Sequence, residues 1–319
     1  MTELCLDALS GLNPLGFFAA LGTVDGIARI RPELDVRLSW TNEIIPRAVL
    51  SGIGDLDELV EALDDDRRAW QSSVILNWGP NGVVLDDIKP SAEDAREWVS
   101  AVLRGAKRAE PESRLMAALF AEGAFDGHGK TKPTHFHFLA GQQRFLTMVR
   151  ELSNEVGRER LEEALQGPWR YDSDLPVLGW DAKGDRVYAV RATNPSGDKK
   201  LGVPGADWLA FLGLSYFPVW ASRGKLITTG CSESWKSGTF TWPLWSFPVP
   251  PPVIRSLIRD RSVATSSLDL RRERGISQVL RAPIRRTDQG GYGSFGAPEP
   301  VLPAPSSNTT DFGSRLLRE

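Results

Sequence analysis

Residues 4–30, LCLDALSGLNPLGFFAALGTVDGIARI, decide the fold. Leu4 to Leu9 is a short apolar run that reads as a strand. Asn13 then offers a side-chain N-cap, and Pro14 stands at the first helical position, where its missing N–H has no partner to lose. Leu15, Phe18, Leu21 and Val24 fall along one face of the helix that follows, while Ala19, Ala20 and Gly22 are small enough to let another element approach closely. Val36 to Trp40 reads as a second strand, so the chain opens strand, helix, strand.

Working outward, Asp55 to Leu63 reads as a short acidic helix, and Asp64, Asp65 and Asp66 as its solvated end, since adjacent carboxylates on a helix point in different directions. The turn-rich NWGPNG, residues 77–82, separates the apolar runs 74–76 and 83–85 as a hairpin or loop. Ser91 with Asp94 has the spacing of a capping box, opening a long helix whose buried side carries Trp98, Val102 and Leu103. Pro111 interrupts it, and Ser113 to Glu122 reads as an amphipathic helix. Residues 91–166 are thus expected to be mostly helical, with Glu155 to Leu165 closing the block. From Trp169 tryptophan, glycine and proline become frequent. Arg186 to Arg191, Lys225 to Thr229 and Thr239 to Trp245 read as strands, Gly205 to Leu214 as a buried helix and Val253 to Asp260 as a short one. The expectation is an α+β protein with an N-terminal strand-helix-strand unit, a helical middle and a strand-rich C-terminal half, divided as 1–166, 167–296 and a disordered tail over 297–319.

The 319 residues carry a formal net charge of -3 and only two cysteines, Cys5 and Cys231, which speaks for an ordinary globular chain without a disulfide framework or a cysteine zinc site. No apolar run approaches membrane-spanning length and Met1 to Asp7 lacks a cationic start, so a cytoplasmic protein with no membrane partner is expected. Walker, dinucleotide-binding, nucleophile-elbow and H-E-x-x-H motifs are all missing, so no cofactor is expected and enzyme classes are disfavoured. Asp172, Asp174, Asp181 and Asp185 lack the spacing of a calcium loop and read as a turn-rich link.

Chemistry concentrates in GHGKTKPTHFHFLAGQQRFL, residues 127–146, which holds all three histidines with Lys130, Lys132 and Arg144. Thr134 to Phe138 alternate with period two, so a strand there would put His135 and His137 on one face and Phe136 and Phe138 toward the core. A helix is expected from Gln142 to Leu152. Three readings fit. His135 and His137 with Asp126 or His128 could ligate a metal, as in a metal-dependent nuclease. Lys130, Lys132 and Arg144 could grip a phosphate backbone while the histidines meet bases. The plain alternative is a half-exposed strand beside a solvated loop. A second basic stretch runs from Arg255 to Arg286, with nine arginines against Asp260, Asp269 and Glu273; Arg271, Arg272, Arg274, Arg281, Arg285 and Arg286 are its candidate phosphate contacts. Trp242 and Trp245 could stack on bases, although packing is the commoner fate.

The segment NPLGFFAALG, residues 13–22, between a short strand and a strand ending at Trp40, resembles the start of large-subunit-like proteins encoded with type I-G (formerly type I-U) CRISPR systems. There a strand is followed by N-P-x-x-F-F-A or P-L-G-x-x-x-A-L-G. LGWD (178–181), GADWLAF (205–211) and WPLW (242–245) are similar in style to that group. The resemblance implies a non-catalytic subunit that helps an RNA-guided complex hold guide RNA or recognise target DNA, with other effector subunits as partners and cutting left to a separate helicase-nuclease. No functional residue carries over, because the matching stretch contains no catalytic motif. A protein scaffold in a defence complex is the third functional class.

Overall fold

The computed structural model describes residues 2–105, 110–182, 201–287 and 292–305. Its architecture is α+β, with a strand-helix-strand start, a helical middle and strand-rich sheets toward the C-terminus. β1 (Glu3–Ser10) leads into α1 (Pro14–Ile30), and β2 (Arg37–Trp40) and β3 (Arg47–Ser51) complete an antiparallel sheet of order β1-β3-β2. Asn13 caps α1 from an extended backbone, its side chain accepting the Leu15 N–H at 3.2 Å, which satisfies one orphan donor of the first turn. Every residue from Pro14 to Ile27 is buried, so α1 is a central helix rather than a surface one.

The middle holds α2 (Leu56–Gln71), α3 (Val74–Asn77), α4 (Ala92–Gly105), α5 (Glu110–Leu119), α6 (Phe145–Glu155) and α7 (Arg158–Gln166). The expected Ser91–Asp94 pairing is formed at the start of α4: Ser91 Oγ accepts the Asp94 N–H at 3.1 Å, as an N-cap does, and donates to Asp94 Oδ2 at 2.8 Å. Several sequence expectations are corrected. α2 continues through the three aspartates, and Asp64 and Asp66 are buried rather than solvated. Asp66 pairs with Arg29 of α1, and Asp64 with Arg67 and Arg68, so the desolvated carboxylates are compensated. Residues 77–82 form a helix end and a short 3₁₀ turn, the loop of the two readings rather than the hairpin. α5 stops at Leu119, and β4 (Phe120–Phe125) turns back into β5 (Thr131–Pro133), placing an antiparallel hairpin inside the helical block.

In the second half α8 (Pro204–Gly213) is the buried helix expected there, with Trp208 and Phe211 inside. β6 (Val219–Ser222) and β7 (Lys225–Thr228) form a tight hairpin. Its two loop residues, Arg223 and Gly224, both have positive φ, 49° and 71°, as a two-residue turn matched to strand twist requires. β8 (Thr239–Trp245), α9 (Pro251–Arg259), α10 (Leu268–Glu273), β9 (Ile276–Arg286), β10 (Gly293–Phe295) and β11 (Glu299–Pro300) follow, with β9 pairing antiparallel to β8, β10 and β11. Trp242 and Trp245 are packed, their indole N–H groups donating to Gly11 O at 3.0 Å and Leu38 O at 2.7 Å. The strand expected at 186–191, Asp185 and tail residues 306–319 lie outside the described residues.

The two halves share one apolar core that is continuous across residue 167. Phe18 of α1 lies 5.0 Å from Phe136, 5.2 Å from Phe217 and 5.2 Å from Phe240, ring centre to ring centre. α1 and α8 cross so closely that backbone meets backbone. A Cβ placed on Gly22 would stand 1.9 Å from Leu209 O, and one on Gly213 would stand 2.0 Å from Phe18 O. Neither obstacle can rotate away, since both belong to helical main chain. Gly213→Ala should therefore cost about 3 kcal/mol or more of unfolding free energy in urea titration, at the upper end for overpacked cores; a loss under about 1 kcal/mol would contradict this contact.

Candidate nucleic-acid interface

The histidine stretch is not a strand. Residues Thr134 to His137 form a turn closed by the His137 N–H donating to Thr134 O at 3.0 Å, and everything from Pro133 to Leu139 is buried. The period-two pattern mispredicts because phenylalanines and histidines alike point into protein. Phe136 enters the aromatic core and its carbonyl accepts the Trp180 indole N–H at 2.8 Å. His135 and His137, each 2% exposed, diverge to different partners. His137 Nε2 meets Asp87 Oδ1 at 3.0 Å. Burial lowers the imidazole pKa and Asp87 offsets this only in part; burial pushes the Asp87 carboxyl up, but His137, Lys89 and the Ile88 amide together hold it below the ordinary range. The pair is therefore a neutral imidazole donating to a carboxylate.

His135 is held by Thr228 of β7. Thr228 Oγ1 accepts the His135 backbone N–H at 3.1 Å and lies 2.8 Å from Nδ1. If the hydroxyl donates its proton to Nδ1, the ring proton sits on Nε2; in either tautomer Nε2 is buried without a partner among the described residues. Burial and the neighbouring Arg286 depress the pKa of His135 to about 4, so the ring is neutral near pH 7.

Arg286 organises this turn from inside. It donates to the carbonyls of His135 at 2.8 Å, His137 at 2.8 Å and Trp235 at 3.1 Å, and its guanidinium lies 3.8 Å from the Trp235 ring centre. Burial lowers its pKa to about 10, which leaves it charged. A cation with three carbonyl acceptors and an aromatic face is compensated in place.

Above the turn opens a cleft of about 530 Å³. Its cations come from three distant segments: Lys89 from the loop before α4, Lys132 from β5 and Lys225 from the start of β7. One main-chain bond and one side-chain bond fix this meeting. Thr131 N donates to Pro90 O at 2.9 Å, and Lys132 Nζ donates to Gly224 O at 2.9 Å, tying the lysine-bearing strand to the hairpin. His135 and Trp235, the latter 37% exposed, complete the wall with their rings 5.4 Å apart. Two carboxylates also line it. Asp126 accepts the backbone N–H groups of His128 at 2.9 Å and Lys130 at 3.0 Å, closing the β4–β5 turn, and the Lys130 amide bond first, then the His128 one, hold its pKa below the ordinary range. Glu233 has no ion-pair or hydrogen-bond partner among the described residues. Three lysines, an accessible indole and a buried ring nitrogen suit an anion with an attached planar group.

The expected basic residues do not assemble as two patches. Of the first set only Lys132 lines the cleft. Lys130 is exposed on the adjoining turn, and Arg144 stands at the start of α6 with its Nε 3.1 Å from Asp86. In the second set Arg271 is buried and clasps the carbonyls of Val301, Ala264 and Leu302, Arg274 pairs with Asp260, and Arg286 is the internal clamp described above. Arg255, from the same stretch, pairs with the buried Asp25 of α1. Arg272, near Asp269, Arg281 and Arg285 keep exposed side chains. Lys89, Lys225 and Trp235 were missed because each sits alone in sequence; the paired turn residues Arg223 and Gly224 before Lys225 are the one local signal that a cation stands at a hairpin tip. Among the described residues no group of three His, Cys, Asp or Glu is placed to hold a metal ion.

The depressed His135 pKa has a measurable sign. Between about pH 6.5 and about pH 4 the unfolded chain binds a proton that the folded ring refuses, so stability falls as pH is lowered through this window. The contribution is about 2–3 kcal/mol, and His135→Asn should flatten that part of the slope in urea unfolding between pH 7 and pH 4.5. An unchanged slope would contradict the burial of a neutral ring. The sequence matches no protein-family model and no curated protein.

Proposed function

We propose that the chain is a non-catalytic nucleic-acid-binding subunit that grips a single strand in the lysine cleft. The observation that carries the reading is the convergence of Lys89, Lys132 and Lys225 beside the half-exposed Trp235. Lysines neutralise phosphates as point charges, and an indole stacks on any base, the combination that sequence-tolerant single-strand binding uses. The likeness of NPLGFFAALG to type I-G CRISPR components supplies the biological setting: a surveillance complex in the cytoplasm, with guide RNA or target DNA and other effector subunits as partners. Within this chain Asn13 of that motif caps α1 and Pro14 to Gly22 are buried in it, so the motif serves the packing of a core helix rather than a contact surface.

A scaffold role has its own observation. Ile44 and Ile45 in the β2–β3 loop are 97% and 52% exposed, and two adjacent apolar tips suit burial against a neighbouring subunit. The two roles are compatible in one complex.

A salt-titrated binding assay with single-stranded RNA, single-stranded DNA and duplex DNA tests the reading. Wild-type protein should bind a single strand with affinity that falls steeply with salt and should leave it intact. Replacing Lys89, Lys132 and Lys225 by alanine together should weaken binding and reduce the log-log salt slope by about 2, roughly 0.7 per lost phosphate contact. Affinity and slope both unchanged in the triple variant would refute the cleft as the binding site.

A further inference from the structure

A second depression lies on the other side of the β6–β7 hairpin. This groove, about 600 Å³, is lined by Trp220, Thr229, Thr241, Arg259, Arg261 and Arg281 among others. Arg261 lies 4.9 Å from the Trp220 ring centre, and Arg281 Nε donates to Thr241 Oγ1 at 3.3 Å. Neither Arg259 nor Arg261 has a carboxylate partner among the described residues. Asp260, in the same wall, is already engaged: it accepts the Ser262 N–H at 2.9 Å and the Ser262 O–H at 2.7 Å and pairs with Arg274. The groove therefore resembles the lysine cleft in composition, three cations beside a half-buried indole, with arginine in place of lysine.

The hairpin is a partition between the two. Lys225 and Leu226 of β7 line the lysine cleft, whereas Trp220 of β6 and Ile227 of β7 line the groove, and Glu233 belongs to the walls of both. Thr228 faces each: its hydroxyl holds His135, and the residue lines the groove. A chain leaving one depression past Glu233 enters the other.

Resting on the single-strand reading above, we infer that the arginine groove is a second subsite for the same strand, so that one single-stranded nucleic acid spans both depressions with bases stacked on Trp235 and Trp220. Arginine suits the second position because its planar fork can hold a phosphodiester through paired hydrogen bonds while lying on an aromatic face. The occupant is single-stranded because both indoles need unstacked bases. Two linked subsites act through effective concentration, so the signature is an affinity gain with strand length rather than a new contact with a short ligand.

The test compares uridine oligonucleotides of about 4 and about 12 nucleotides, lengths that bracket single-strand site sizes, by fluorescence anisotropy on the full chain. Wild type should bind the longer strand more tightly by about tenfold or more beyond its greater number of binding registers. The double variant Arg261→Ala with Arg281→Ala should lose that excess while keeping its affinity for the short strand, and Arg261→Lys with Arg281→Lys should recover part of it. A thermal melt confirms that both variants fold, and Trp220→Ala provides an independent third variant. An excess that survives both the arginine and Trp220 substitutions overturns the inference, although binding in the lysine cleft would stand. Failure of wild type to bind either oligonucleotide would overturn the underlying reading as well.

Discussion

The rest of this structure depends on the crossing of α1 and α8, where Gly22 and Gly213 let two helix backbones touch. Without side chains at these positions, Phe18 sits deep between the two halves of the chain and meets rings from the histidine turn, from Phe217 and from β8. Close approach gains many weak dispersion contacts at a site that water cannot fill. Charge reinforces it: Asp25 of α1 gathers Arg255, Arg114 and the Tyr216 hydroxyl. A buried carboxylate with several donors is tolerated only when all of them are in place, so this group fixes how α9 and α5 sit against α1.

That core also determines the shape of the surface above it. Phe136 anchors the histidine turn in the aromatic cluster, and Arg286, at the end of β9, holds the turn's carbonyls from beneath. With the turn fixed, Thr228 of β7 can reach His135, and the β6–β7 hairpin becomes the wall between the lysine cleft and the arginine groove. The surface cations are thus placed by buried groups.

Local signals in the sequence were legible where local chemistry decides. The Asn13 cap with Pro14 behind it, the Ser91 to Asp94 box, and the small residues of α1 each predict what the structure contains. Residues 134–138 misled because alternation identifies a strand only when one face is solvated, and here Arg286 and Asp87 satisfy the polar side from within the protein. The arginine stretch misled for a related reason: density along the chain says nothing about burial, and Arg255, Arg271 and Arg286 are spent on an internal carboxylate and on backbone carbonyls. Lys89, Lys132 and Lys225 meet through hairpin pairing and long-range hydrogen bonds, which leave no pattern in sequence.

The most direct measurement is photo-crosslinking of a bound uridine-rich single strand to the full chain, followed by peptide mapping of the attached residues. Crosslinks should concentrate on Trp235 and on the peptides carrying Lys132 and Lys225. Crosslinks confined to α6, α10 or the exposed Ile44–Ile45 loop, from a protein that demonstrably binds the strand, would contradict the placement of the interface in this cleft.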